Sequence, residues 1–365
     1  MNLKDLKRKT LDKYTPYTYG EQPDPKQNWV KLNTNENPHP PPASVLTDIK
    51  SAVNEKLRLY PDPTCKELRK LLTNVFFPEY RNFISPQNFL VANGSDEILD
   101  VLFKSFVDPG DKVVVFNPSY GMYPVLAEIY GGEVVTIDLD ENFKITDEAY
   151  SASGKIMIIC SPNNPTGNST PNNVIAKICD KFDGLVLVDE AYSTFNKISA
   201  VELLEKYKNL AVMQTFSKAY AFASQRIGYM IASKEIIKYM TGIKLPYNVT
   251  YLSQQSAIAV LNNILDYQPL IENIINERDR LSKILRGFEI KVYKSDSNFI
   301  LIEFPDASNA MKIFWELKDK KILVRKYNKK GLYQFLRISV GTKEQNDKFL
   351  HEFAQLAKKY LKSRT

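Results

Sequence analysis

Histidine is nearly missing from this chain: His39 and His351 are the only two among 365 residues. That leaves little room for a histidine-held zinc site or a Ser-His-Asp triad. Cysteine is scarce as well. Cys65, Cys160 and Cys179 lie far apart and form no C-x-x-C pair. They argue for a reducing compartment and against a disulfide framework or a thiolate metal site. No apolar run approaches the roughly 20 residues that span a bilayer. The opening Met1-Asn2-Leu3-Lys4-Asp5 is charged, without the apolar stretch of a secretory signal. A cytoplasmic protein with no membrane partner is expected. Basic blocks are absent too: 49 Lys and Arg against 42 Asp and Glu give a net charge of +7, spread along the chain. No nucleic-acid partner is expected, although a mild positive excess suits anionic small molecules. Neither G-x-G-x-x-G nor G-x-x-x-x-G-K-[ST] occurs, which weakens dinucleotide and nucleoside-triphosphate readings.

What is present is an α/β pattern with a proline-rich preface. Residues 1–45 hold Pro16, Pro23, Pro25, Pro38, Pro40, Pro41 and Pro42, and read as an arm crossing a surface rather than a core element. From 46 to 245, short unalternated apolar runs recur: Phe89–Ala92, Val113–Phe116, Val134–Ile137, Ile156–Cys160 and Leu185–Val188. Strands of this kind are covered on both faces, as in a mostly parallel central sheet. Helical patterns separate them, one with Ile98, Leu99, Leu102, Phe103 and Phe106 on one face. After Pro246 the texture shifts. One long helical pattern runs from about Leu252 to Leu285, followed by mixed strands and helices, which predicts a smaller α+β domain over 246–365.

The chemistry concentrates where apolar runs stop. Lys218, in Thr215-Phe216-Ser217-Lys218-Ala219-Tyr220, follows the run Leu210–Met213. A lysine there is costly unless it has a charge partner or serves as a covalent amine. Asp189 ends another run, where ligands bind in open α/β sheets, and Tyr192 lies three residues on. Together they read as the Schiff-base lysine and ring-facing carboxylate of a pyridoxal-phosphate site. A buried carboxylate facing a cationic ring nitrogen stays ionised. Gly94-Ser95-Asp96 opens a helix, a place for a phosphate, although Ser and Asp also serve as plain caps. Arg226 offers a phosphate-binding fork and Ser217 a hydroxyl. Asn164 sits in Ser161-Pro162-Asn163-Asn164-Pro165-Thr166-Gly167, where prolines fix its direction. Tyr120 can stack on a ring.

With Leu32–Pro38, Tyr60-Pro61-Asp62-Pro63 and Leu336-Arg337-Ile338-Ser339-Val340-Gly341-Thr342, these segments resemble the fold-type-I pyridoxal-phosphate aminotransferases, and among them the histidinol-phosphate aminotransferase family. The resemblance implies a large cofactor-binding domain and a smaller one. It implies that Lys218 bonds the cofactor aldehyde, Asp189 pairs with the pyridine nitrogen, and Tyr192 and Asn164 bond the ring oxygen. Tyr120 would stack on the ring. Ser95 and Asp96 amides, Ser217 and Arg226 would hold the phosphate. Tyr60 would reach that phosphate from a neighbouring subunit, so a homodimer with composite sites is implied. Arg337 and Arg325 would bind the substrate's anionic end, and Tyr17 and Asn35 would line its pocket. Two departures stand out: Ala223-Ser224-Gln225 in place of an apolar Ala-Gly-Leu before the arginine, and His39-Pro40-Pro41-Pro42 in the arm. The implied reaction moves an amino group between a phosphorylated amino alcohol, foremost histidinol phosphate, and 2-oxoglutarate or glutamate. Alternatives are a three-carbon amino-alcohol phosphate (serinol-phosphate or dihydroxyacetone-phosphate type) as substrate, or decarboxylation of a phosphorylated amino acid such as threonine phosphate. A non-catalytic binding protein is the reading from another class.

Overall fold

The computed structural model describes residues 6–12 and 14–361; the opening five residues, with their argument against a secretory leader, lie outside the described residues. The first strand is β1 (Val30–Leu32). Then come β2 (Phe89–Ala92), β3 (Lys112–Asn117), β4 (Glu133–Asp138), β5 (Ile156–Cys160), β6 (Leu185–Asp189), β7 (Leu210–Thr215) and β8 (Gly228–Ala232). Strands β2 to β8 form one sheet in the order β2-β8-β7-β6-β5-β3-β4. Neighbours from β7 across to β4 pair in parallel, whereas β8 is antiparallel to both β7 and β2. Every residue of β5 and of β8 is buried, as unalternated apolar runs require when helices cover both faces. Edge strand β4 departs from that expectation: of its residues only Ile137 is buried.

The second sheet combines β9 (Lys291–Val292), β10 (Phe299–Glu303), β11 (Ile322–Lys326) and β12 (Phe335–Ser339) with the early β1, in the order β1-β11-β12-β10-β9. Here the structure corrects the surface-arm reading. Val30 and Leu32 are buried, and β1 runs parallel to β11 with Val30 opposite Ile322. The reason is local: Val30-Lys31-Leu32 alternates inward and outward, and the edge of β11 offers it a free ladder. A second correction concerns the long helical pattern. It is two helices, Tyr251–Asn262 and Gln268–Leu285, split by a 3-10 turn at Ile264–Tyr267. Pro269 has no N–H to give, so it is tolerated only in a first turn, and the chain restarts its helix there. A 3-10 helix also spans Ala200–Glu205.

Two elements aim the site. The helix Ser95–Phe106 buries Ile98, Leu99, Val101, Leu102 and Phe103, which points its N-terminus at the C-terminal edge of the large sheet. Strands β6 and β7 end side by side, Asp189 opposite Met213, so the loops behind them emerge at the same edge.

Candidate active site

A cleft of about 750 Å³ opens where the C-terminal edge of the large sheet faces the small sheet. Its lining includes Tyr17, Asn35, Ser95, Asp96, Tyr120, Asn164, Asp189, Tyr192, Ser217, Lys218, Arg226, Arg325 and Arg337. All the expected site residues therefore meet there except Tyr60. That side chain is 81% exposed, stacks on Tyr247 at 4.4 Å between ring centroids, and does not reach the cleft of its own chain.

The floor is built from strand ends. Asp189 is buried; one carboxylate oxygen accepts the Tyr123 hydroxyl at 2.7 Å and the other the Ala191 N–H at 3.1 Å. Burial pushes its carboxyl up to about 6, against those two hydrogen bonds. Among the described residues it has no ion-pair partner. A buried carboxylate left without a cation at a cleft floor fits a ligand that brings one. Lys218 Nζ donates to the Thr34 carbonyl at 3.2 Å and lies 5.9 Å from the Tyr192 ring centre. Burial, and next the Arg337 charge, bring its amine down to about 8.

One end of the floor is an anion cradle. The first-turn N–H groups of a helix lack intrahelical partners, and those of Ser95 and Asp96 face the cleft region. Gly94 takes a left-handed φ of +83°, and a Cβ there would lie 2.5 Å from Arg226 Nη2. A Cβ on Gly228 would lie 2.9 Å from the Ser95 nitrogen. Both glycines keep backbone and guanidinium close. Arg226, itself at φ +48°, donates to the Ala223 carbonyl at 3.1 Å and pairs with Asp96 Oδ2 at 3.1 Å. The Asp96 carboxylate also accepts the Tyr120 hydroxyl at 3.3 Å. The Asp96 side chain thus steers the arginine. Ser217 Oγ lies 3.0 Å from the Thr215 hydroxyl, which also reaches the Ile227 carbonyl at 3.3 Å.

Two donors face the middle of the cleft. Tyr192 accepts the Asn35 amide at 3.1 Å, so its own O–H is left to donate. Asn164 Oδ1 accepts Arg337 Nη1 at 2.5 Å, which turns the amide N–H the other way. Asn35 holds a φ of +56° and is locked in place: its N–H and carbonyl bond Ser339 and Asn298.

The opposite wall carries arginine. Arg337 Nη2 donates to the Asn33 carbonyl at 2.7 Å, and its guanidinium lies over the Phe299 ring at 5.1 Å. Arg325 Nη2 donates to the Thr18 carbonyl at 2.8 Å. Arg325 and Arg337 stand directly opposite each other across β11 and β12. Neither pairs with a carboxylate among the described residues. Sequence reasoning missed Tyr123, which orients Asp189, and Tyr327, which lines the cleft beside Arg325. Tyr123 packs its ring edge-to-face on Tyr120, 5.4 Å between centroids.

The described residues form no cluster of three or more metal-ligating side chains, and no described helix is long and apolar enough to cross a membrane. The family model for aminotransferase class I and II matches residues 27–353. This chain is a class I and II aminotransferase. It is a pyridoxal-phosphate-dependent transaminase of fold type I, as the two-sheet architecture has it. A histidinol-phosphate aminotransferase of Rippkaea orientalis is 34% identical over 349 residues, covering 96% of this chain and 98% of that protein. One from Clostridium botulinum is 38% identical over 348 residues, covering 94% and 96%. Among solved structures, the histidinol-phosphate aminotransferase of Clostridium acetobutylicum superposes with a TM-score of 0.81 at 25% identity, covering 90% of this chain and 99% of that one. The Sinorhizobium meliloti enzyme in complex with pyridoxal-5'-phosphate shares the fold at a TM-score of 0.83 and 23% identity, covering 90% and 91%.

Proposed function

We propose that this aminotransferase takes the amino group of histidinol phosphate and passes it to 2-oxoglutarate. The observation that carries the reading is the Arg325–Arg337 pair. Like charges directly opposite in a sheet destabilise it. Two guanidiniums held only by neutral carbonyls and an amide oxygen, at the wall of a cleft, are suited to a multiply charged anion such as a phosphate ester. The relatives' shared activity supports the imidazole-bearing substrate over a three-carbon one.

Bound pyridoxal phosphate supplies an aldehyde for the substrate amine and an electron-poor ring that makes the neighbouring C–H acidic. The residues of the chain do the rest. Ser95, Asp96, Ser217 and Arg226 hold its phosphate. Asp189, ionised beside a ring cation, keeps that cation protonated. Tyr192 and Asn164 donate to the ring oxygen, and Tyr120 covers a ring face. Lys218, with an amine brought down to about 8, has a neutral fraction at physiological pH and would take the substrate's α-proton and carry it across the nitrogen to the carbon on its far side. Arg337 binds the carboxylate of glutamate in one half-reaction and shares the phosphate with Arg325 in the other. Tyr17 and Asn35 close the substrate end.

Tyr60 supports a homodimer, since an exposed tyrosine cannot serve its own cleft; a single-chain mass by sedimentation at working concentration would count against it. The arm 1–45, the body 46–245 and the unit 246–365 are the working divisions, with β1 as the arm's anchor. The test of function is a screen of phosphorylated amines as donors to 2-oxoglutarate, read as glutamate. Histidinol phosphate should exceed serinol phosphate in kcat/KM by at least tenfold. The reverse ranking would give the substrate to the shorter amine, and carbon dioxide release from threonine phosphate without glutamate would favour decarboxylation.

A further inference from the structure

One polar group in the cleft has no use in the scheme above. The Tyr327 hydroxyl is buried and donates to no acceptor among the described residues, yet the residue lines the cleft. The Nε of Arg337 is buried and unpartnered in the same way. Buried hydroxyls and guanidinium N–H groups are nearly always satisfied, and leaving them bare is costly. The Arg337 side chain approaches the Tyr327 oxygen as a donor, which leaves the Tyr327 proton without an acceptor among the described residues and suggests one that arrives from outside.

Tyr327 follows β11 two residues after Arg325, so the two side chains leave the strand direction on the same side. Arg337, Arg325 and Tyr17 are the ionisable neighbours that bear on its hydroxyl. Burial raises the phenol above its ordinary range, against the pull of the two arginines, so it remains a protonated donor at neutral pH.

We infer that Tyr327 is a specificity residue that donates its O–H to the substrate's phosphate and thereby separates phosphate from carboxylate at this subsite. The inference rests on the reading that the site accepts a phosphorylated amine in one half-reaction and a dicarboxylate in the other. The geometry of the two anions supplies the reason. A carboxylate is planar with two oxygens, which one arginine fork satisfies. A phosphate monoester has three terminal oxygens in a tetrahedron, and it extends further from the reacting carbon. It has an oxygen to spare for a third donor.

The test uses Tyr327→Phe holoenzyme and two inhibitors that are not substrates, inorganic phosphate and glutarate, each in competition with glutamate. The inhibition constant for phosphate should rise about tenfold, as loss of a hydrogen bond to a charged group implies, and that for glutarate by less than twofold. Deleting a hydroxyl whose proton has no acceptor among the described residues should not lower the melting temperature of the holoenzyme. Equal weakening of both inhibitors, an unchanged phosphate constant, or a lowered melting temperature would each overturn the inference. Because neither probe is a donor, failure of histidinol phosphate to turn over would strike the proposed substrate and leave this result standing.

Discussion

The two sides of the cleft carry opposite electrostatic burdens. The large-sheet floor buries a carboxylate, Asp189, with no cation paired to it among the described residues. The small-sheet wall sets two arginines face to face, with no carboxylate paired to either among the described residues. Each side is poorly balanced alone, and each is balanced by a different part of what the cleft receives. In the proposed reaction a ring cation would answer the floor, and an anionic tail would answer the wall. The difference teaches that one cleft can read both ends of a reaction complex by leaving complementary charges unpaired on separate elements. Burial makes those charges sharp, because a group denied water responds strongly to the one partner it is offered.

Breaking the floor should cost most. Lys218→Ala removes the group proposed to move the proton, and turnover should fall at least a thousandfold. Borohydride should trap cofactor on Lys218 in the wild type and on no residue of the variant; full turnover by the variant would remove Lys218 from the chemistry. Asp189→Asn keeps the shape and deletes the charge. Losing one partner of a buried ion pair costs about 3–5 kcal/mol, so kcat/KM should drop by a factor of hundreds for both amino donors. A loss confined to the phosphorylated donor would show that floor and wall are not separable.

Breaking the wall should be selective. Arg325→Ala should raise KM for histidinol phosphate about tenfold or more, the worth of a charge-assisted contact. KM for 2-oxoglutarate should move much less, and equal shifts would erase the distinction between the two anions. The smallest effect sharpens the floor. The Lys218 amine is brought down to about 8, so it is mainly protonated below that pH and neutral above it. Cofactor capture by apoenzyme, followed by absorbance, should quicken roughly fivefold from pH 7 to pH 8 and level off beyond. A rate flat across that range would mean a different amine or a different limiting step.

The floor was largely legible in the sequence and the wall only in part. Asp189, Asn164, Ser95 and Lys218 each sit in a short segment behind an apolar strand, where local chain chemistry fixes their direction. Arg337 and Arg325 both came only through family likeness. Tyr327 carried no signal, because its significance depends on Arg337 in the next strand and on a buried hydroxyl that the sequence does not display. Strand β1 escaped because three residues in a proline-rich stretch are too few for a periodicity. The gap between the helices ending at Asn262 and starting at Gln268 escaped because apolar residues continue across it.

The pairing of Val30 with Ile322 spans nearly the whole polypeptide. A ribosome must therefore deliver residues past 322 before the opening segment has its sheet partner, while the strands that carry Asp189 and Lys218 are complete far sooner. Contacts so distant in sequence form late. A nascent chain halted near residue 300 would hold the strands that carry Asp189 and precede Lys218 and lack the edge against which its first strand must dock.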